Sequence, residues 1–231
     1  MFVFPANTAN RAAKEEAARA RMAQVAADDN WNTRDKCKLL TLEHHMAAQR
    51  MGFQDLFEPL FKVDDFKTGL LDGRQSPNVA ETESQKAEGA DDADDLSERE
   101  AALAAFLEAP FSQVEPYAQY VSDKAPFGTH QGVKGLQFER VMVLMADDEA
   151  RGFMFGYEKL LGAKAPSQTD RDHVEAGRET SIDRTRRLLY VTCSRAQKSL
   201  ALVAYSDSPE AVQAYLIKNE WFTDGEIVLG L

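Results

Sequence analysis

Long apolar runs, a cysteine framework and a secretory start are all missing from this 231-residue sequence. The longest apolar runs, residues 141–146 (VMVLMA) and 199–205 (SLALVAY), are far too short to cross a bilayer. The first five residues lack the basic start and long apolar stretch of a secretory signal. The two cysteines, Cys37 and Cys193, have neither a disulfide nor a metal-ligand spacing. We therefore expect a cytoplasmic protein with reduced thiols and no membrane contact.

A phosphate-binding loop is missing as well. No G-x-x-x-x-G-K-[ST] sequence, whose backbone cradles the phosphates of a bound nucleotide, occurs in the chain. The acidic run that follows residues 141–146, Asp147 to Glu149, is more typical of a solvated loop than of a Mg²⁺-binding motif. We therefore expect that this chain does not hydrolyse ATP unaided.

Charge is distributed unevenly. The net charge of −11 has the wrong sign for a nucleic-acid-binding protein. However, residues 81–100 hold nine acids and two bases, whereas residues 184–198 hold five bases and no acid. A local basic cluster can contact phosphates even when the whole chain is acidic.

The apolar pattern predicts an α/β protein, since strands and helices alternate as in a parallel sheet. Strands are predicted at residues 2–4, 37–42, 141–145 and 200–205, and helices at 10–27, 44–61, 96–111, 183–194 and 209–219. The second helix should break near Gly52 and end before Pro59. Residues 68–95 are expected to form an exposed, partly disordered insertion, and residues 163–180 a polar loop.

A basic segment at residues 184–203 (RTRRLLYVTCSRAQKSLALV) combines arginines with a predicted helix and strand. On a helix, Arg187, Val191 and Arg195 share one side through successive spacings of four. The planar, permanently charged guanidinium suits phosphate oxygens better than a lysine does. Spacing alone leaves a second interpretation open, in which the arginines form a solvated helix face.

A second segment, residues 129–143 (THQGVKGLQFERVMV), places glycines and polar donors before a strand. Gly132 and Gly135 permit close backbone approach, and the hydroxyl of Thr129 is typical of a contact to phosphate. His130 and Lys134 add donors for a sugar-phosphate chain. Here too a simpler interpretation stays open, namely a glycine-containing turn before a buried strand.

Together the two segments resemble motifs V and VI of UvrD/Rep-like superfamily 1 DNA helicases. Motif V reads approximately T-x-H-x-x-K-G-L-E-F, and motif VI reads E-R-R-L-x-Y-V-x-x-T-R-A. Residues 134–138 (KGLQF), 186–191 (RRLLYV) and 194–196 (SRA) match these motifs in order and at nearly the family's spacing. The resemblance covers residues 129–205 well and residues 2–61 loosely.

The resemblance implies a RecA-like parallel sheet flanked by helices, with a small, mostly helical inserted subdomain. The corresponding limits are residues 1–62 and 129–231 for the RecA-like domain and 63–128 for the insert. It further implies a bacterial, cytoplasmic ATP-dependent helicase that moves 3′ to 5′ along single-stranded DNA. ATP with Mg²⁺ would be bound mainly by a separate, N-terminal phosphate-loop domain of a longer protein. DNA repair is one pathway such a helicase serves.

The same resemblance implies roles for particular residues. Arg195 corresponds to the motif VI arginine finger, and Arg187 would help to organise that catalytic site. Gly135 and Gln137 would face the nucleotide. The DNA-facing side of motif V would be formed by three residues: Thr129, His130 and Lys134.

Three positions depart from the family's pattern. Gln137 stands where the family usually has a glutamate that receives the ribose hydroxyl, so the hydrogen bond is kept but the charge is lost. Thr185 replaces the usual motif VI glutamate, which removes an ion-pair partner. Ser194 replaces a threonine and keeps its hydroxyl.

Two alternatives belong to other classes of protein. The chain could act as a stand-alone, non-enzymatic module that binds nucleic acid or docks onto an ATPase, or as a relic that serves only as a protein-interaction surface. No metal site is expected at His44 and His45, because adjacent helical residues face different sides. Trp31 and Trp221 could stack on bases, but a hydrophobic anchor is the favoured role for both.

Overall fold

The structure is a computed structural model that describes residues 1–63, 93–151 and 154–231. It divides into two compact units, Met1–Met46 with Pro126–Leu231, and Ala47–Ala125. Most of the predicted insertion, residues 68–95, lies outside the described residues, and its last three residues begin a helix. The predicted domain limits at residues 62/63 and 128/129 stay a prediction.

One six-stranded parallel sheet forms the centre of the first unit. Its order is β3-β2-β4-β5-β1-β6, and the strands are β1 (Phe2–Pro5), β2 (Lys38–Thr41), β3 (Phe127–Thr129), β4 (Phe138–Ala146), β5 (Ala196–Ser206) and β6 (Val228–Leu229). The α/β class and the four predicted strands are confirmed. β3 and β6 carry no sequence signal because they are only 3 and 2 residues long.

The two central strands are buried along most of their length. Residues 140–146 of β4 and 201–206 of β5 are buried, as expected of parallel strands that are covered on both faces. Their amino ends differ, because Glu139, Gln197 and Lys198 are exposed there. The amino edge of the central strands is therefore a polar, accessible part of the sheet.

Helices alternate with the strands along the chain. The α-helices of the described residues are α1 (Arg11–Val25), α2 (His44–Met51), α3 (Gln54–Lys62), α4 (Ala93–Glu108), α5 (Val114–Val121), α6 (Tyr157–Leu160), α7 (Gln168–Glu175), α8 (Ser181–Cys193) and α9 (Pro209–Lys218). The predicted helices at residues 10–27, 183–194 and 209–219 correspond to α1, α8 and α9. The predicted break near Gly52 is also present, with Gly52 at φ 78° between α2 and α3.

The expectation that residues 163–180 form a loop is wrong for Gln168–Glu175, which is α7. Asp170 is the only buried residue of this helix, so the sequence has no apolar periodicity that would predict it. It begins because Ser167 and Asp170 cap each other: the Asp170 N–H donates to Ser167 Oγ at 3.2 Å, and the Ser167 N–H donates to the Asp170 carboxylate at 3.0 Å. The Ser167-x-x-Asp170 spacing was the available sequence signal.

The prediction that the second helix ends before Pro59 is also wrong. Pro59 lies inside α3, which continues to Lys62. A proline removes one helical hydrogen bond, but the next residue, Leu60, is fully buried. We infer that burial of this side chain offsets the lost bond. The core of the second unit is an aromatic-rich cluster formed by Ala48, Phe53, Leu56, Phe57 and Tyr117.

Candidate functional site

The turn before β4 lies against the segment between α8 and β5. Arg195 Nη1 donates to the Leu136 carbonyl at 3.1 Å, and the Phe138 N–H donates to the Arg195 carbonyl at 2.9 Å. Gln197 Nε2 donates to Gln137 Oε1 at 2.9 Å. The structure therefore brings the predicted nucleotide-facing residue Gln137 and the predicted finger Arg195 together at the amino edge of the central strands.

Local backbone geometry explains the glycines of this turn. Gly135 has φ 81°, a left-handed conformation that favours glycine. At Gly132, an added Cβ would lie 2.9 Å from Thr129 Oγ1, which accepts the Gly132 N–H at 3.0 Å. The path of the chain therefore favours glycine at Gly135 through its φ and at Gly132 through the nearby Thr129 hydroxyl, and Gly135 is exposed beside Gln137.

Arg195 is held in place by three hydrogen bonds. Besides the bond to Leu136, its Nε donates to the Val191 carbonyl at 2.9 Å and its Nη2 donates to Ser194 Oγ at 2.9 Å. The side chain is half-buried. The finger role of Arg195 stays a prediction, and a phosphate would have to compete with these acceptors for the guanidinium.

Arg187 lies on the outer face of α8. Its side chain is 70% exposed and pairs with Glu179, which is itself partly exposed. Arg186 and Tyr190 share this face, with Tyr190 75% exposed, whereas the opposite face is buried through Ser181, Thr185, Leu188, Leu189 and Thr192. Arg187 is therefore the more accessible of the two predicted catalytic arginines.

The predicted DNA-facing residues begin at a different level of the sheet. Thr129 pairs with Thr41 in register, and the neighbouring Leu40 pairs with Val143. Phe138 therefore lies six positions nearer the amino edge than the level of Thr129, or about 20 Å at the rise of a strand. The sheet thus separates Thr129 and His130 from Gln137 and Arg195.

His130 is fully buried. Its Nε2 donates to the Leu40 carbonyl at 3.0 Å, so its Nδ1 accepts from the Tyr157 hydroxyl at 2.9 Å. Burial lowers the pKa of His130 to about 4, which keeps the ring neutral at pH 7. Thr129 is also buried, while Lys134 is exposed. DNA contact by these residues stays a prediction, and in this arrangement only Lys134 presents a cation to solvent.

A buried carboxylate fixes the start of α8. Asp170 accepts hydrogen bonds from the Ser181 N–H at 3.0 Å and Ser181 Oγ at 2.7 Å, and from Lys159 Nζ at 2.6 Å. Despite burial, which raises it, the pKa of Asp170 is strongly lowered by its hydrogen bonds with Lys159, Ser167 and Ser181. Sequence reasoning missed Asp170, although the Ser167-x-x-Asp170 spacing could have indicated it.

The expectations of no metal site at His44 and His45 and of no membrane contact stay predictions. Among the described residues, no three or more His, Cys, Asp and Glu side chains are grouped so as to hold a metal ion. In the same parts of the chain, no helix is long and apolar enough to cross a membrane. His45 Nε2 instead donates to the Glu149 carbonyl at 2.7 Å.

We predict that the chain loses stability as the pH falls from 7 to 5. The folded state holds His130 neutral down to about pH 4, whereas the unfolded state takes up a proton near pH 6.5. This stabilisation is complete above pH 6.5 and is lost as the pH falls toward 4, with a cost of about 2 kcal/mol between pH 7 and 5. His44, whose pKa burial also lowers to about 4, adds a loss of the same sign.

Urea unfolding at several pH values, with the imidazole signals followed by NMR, measures this effect. A His130 ring that titrates near pH 6.5 in the folded chain would contradict the prediction.

Comparison with known proteins gives a distant relationship. No protein-family model matches the chain. Over 121 residues the chain is 26% identical to Gabija protein GajB of Bacillus cereus (strain HuB5-5), a match that covers 49% of this chain and 16% of that relative. This similarity supports, in coarse form, the helicase-like relationship that the two motif segments indicate.

Proposed function

We propose that this chain is the C-terminal RecA-like domain of an ATP-dependent DNA helicase that moves 3′ to 5′ along single-stranded DNA. One observation carries the proposal: the two segments that resemble motifs V and VI lie side by side. Arg195 bonds the Leu136 carbonyl through its guanidinium and the Phe138 N–H through its own carbonyl. Segments far apart in sequence thus form one surface, which a shared nucleotide site requires.

The described residues fit one side of an ATP site. Exposed Arg187 suits a phosphate oxygen, and the exposed Gln137 and Gly135 can face the sugar. In this proposal, Mg²⁺ and most of the triphosphate are bound by a phosphate-loop domain of a longer protein, since this sequence has no phosphate-binding loop. When bound there, ATP with Mg²⁺ supplies the phosphoryl group whose transfer to water releases energy for movement.

Arg195 and Arg187 have different roles in this proposed site. Arg195 already joins motif VI to motif V through its bond to the Leu136 carbonyl, and its bonds to Val191 and Ser194 fix the guanidinium within motif VI. Arg187, being exposed, can reach a γ-phosphate and stabilise the charge that develops on it during transfer. We therefore assign the finger role to Arg187 and a positioning role to Arg195, which reverses the sequence-based assignment.

Single-stranded DNA is the proposed second partner. Lys134 presents its cation at the turn, and the buried Thr129 and His130 fix the segment that carries it. Because Lys134 lies in the same turn before β4 as the nucleotide-facing Gly135 and Gln137, closure of two domains on ATP can change the contact with DNA.

Binding of single-stranded DNA by the chain tests this proposal. We expect a fluorescent oligothymidylate to bind with an affinity that falls steeply with salt, since lysine and arginine contacts release counterions. Lys134→Ala should weaken binding severalfold and reduce the slope of log K against log salt by about 0.7. Fluorescence anisotropy at several salt concentrations measures both quantities.

Lys198→Ala is the matched control, because Lys198 already pairs with Glu139 at 2.7 Å and its loss should change the slope less. Equal effects of the two substitutions would remove Lys134 from the proposed DNA contact. An absence of binding at low salt would contradict the nucleic-acid part of the proposal.

A further inference from the structure

A single buried turn, α6, touches both motif segments. On one side, the Tyr157 hydroxyl donates to His130 Nδ1 at 2.9 Å, and the two rings meet edge to face with centroids 5.7 Å apart. Tyr157 and His130 are both buried. A buried polar pair of this kind leaves each group dependent on the other, because water cannot replace a lost partner.

The residue before Tyr157 reaches the arginine-bearing helix. The Gly156 N–H donates to Thr185 Oγ1 at 2.9 Å, and Thr185 Oγ1 donates to the Ser181 carbonyl at 2.7 Å. Thr185 is fully buried in α8. This threonine stands where the resemblance expects a glutamate, and here its hydroxyl joins the turn to the helix.

The turn is also anchored to β4 and to the start of α8. The Tyr157 and Glu158 N–H groups donate to the two oxygens of Asp147, at 2.9 and 2.8 Å. Lys159 bonds Asp170, which in turn bonds Ser181. Residues 156–159 therefore connect three parts of the structure: His130, the end of β4 and the first two turns of α8.

We propose that Tyr157 is a positioning residue that transmits a change at the His130 segment to α8, and hence to the Arg187 face. The inference rests on the proposed function, because it takes the His130 segment as nucleic-acid-facing and the α8 face as nucleotide-facing. When His130 moves, its hydrogen bond displaces the Tyr157 hydroxyl and therefore α6. Gly156 precedes Tyr157 and bonds Thr185, so the same displacement is passed to α8.

The full chain can be tested by NMR, with an oligothymidylate of about ten residues as the probe. In the parent chain we expect the probe to shift the backbone amide signals of Arg186, Arg187 and Tyr190. Tyr157→Phe removes the hydroxyl alone. It should leave the affinity within about threefold and reduce the α8 shifts at saturation by more than half. Full α8 shifts in Tyr157→Phe would overturn the inference.

Two substitutions of Thr185 give a second test with a matched control. Thr185→Val keeps the shape and loses the acceptor, so it should behave like Tyr157→Phe, whereas Thr185→Ser keeps the hydroxyl and should behave like the parent. Tyr215→Phe, a half-buried tyrosine elsewhere in the same unit, is the control for removing a hydroxyl. If Tyr157→Phe does not fold, the Thr185 pair alone decides: equal α8 shifts in both variants would overturn the link.

Failure of the proposed function is distinguishable from failure of this link. If the parent chain does not bind the probe, the nucleic-acid role is lost, and amide hydrogen exchange in the free chain decides the link. Tyr157→Phe and Thr185→Val should then each accelerate exchange in residues 185–189 about tenfold, with Tyr215→Phe and Thr185→Ser unchanged. Exchange that is unchanged in Tyr157→Phe would overturn the link.

Discussion

Replacing Arg187 with Ala is expected to lower DNA-stimulated ATP turnover at least about 10³-fold in a longer protein that joins this chain to a phosphate-loop domain. The loss follows because an arginine that meets the γ-phosphate stabilises charge that appears only during transfer. Nucleotide affinity should change little, and the thermal unfolding midpoint should stay the same, since Arg187 is exposed and pairs with partly exposed Glu179. Steady-state turnover, nucleotide titration and thermal unfolding measure the three quantities.

Two further arginine substitutions serve as comparisons. Arg186→Ala removes an equally charged neighbour that pairs with Asp183 at 3.1 Å, and should change turnover by no more than a few-fold. Arg195→Ala removes three hydrogen bonds within the chain, so it should lower both turnover and the unfolding midpoint. The opposite pattern, with mild loss in Arg187→Ala and severe loss without destabilisation in Arg195→Ala, would return the finger role to Arg195.

Replacing Trp31 with Ala should reduce the free energy of unfolding by about 3–5 kcal/mol. Trp31 is fully buried, and its Nε1 donates to Ser199 Oγ at 2.9 Å, which confirms the hydrophobic-anchor role over base stacking. Removing the ring leaves a cavity and takes away the partner of a serine hydroxyl. Urea unfolding followed by circular dichroism measures the change.

The second tryptophan is the natural control for this substitution. Trp221 is 40% exposed and contacts Tyr215 edge to face, with ring centroids 6.2 Å apart. Trp221→Ala should therefore cost about 1 kcal/mol. Similar losses for the two substitutions would contradict the assignment of Trp31 as a core anchor.

Local chemistry was enough to predict most elements of the sheet. The apolar runs in β4 and β5 indicate buried parallel strands, and the helix predicted at residues 183–194 corresponds to α8. Two predictions were wrong. In one, a local signal conflicted with burial, and in the other, the signal was polar rather than apolar. Pro59 stays inside α3 because Leu60 is buried, and α7 begins with a polar cap rather than an apolar period.

The candidate site was predictable only as two separate segments. The sequence places Gln137 and Arg195 in different motifs, but it does not show the hydrogen bond between Arg195 and the Leu136 carbonyl that joins these motifs. It likewise gives no reason to select Tyr157, because a tyrosine in a loop-like stretch has no periodic signal. Nor can spacing show that His130 is buried while Lys134 is exposed.

By itself, the sequence determined the α/β class, the two motif segments and their order, because periodicity and residue chemistry act over short stretches of chain. Only the tertiary structure decided which arginine is engaged and which is accessible, and which turn joins the two segments. Arg195 and Arg187 have the same side chain, but Arg195 donates to the Leu136 carbonyl, which folding brings to it from another segment, while Arg187 is exposed to solvent. Such differences arise from contacts between distant residues, which no local pattern records.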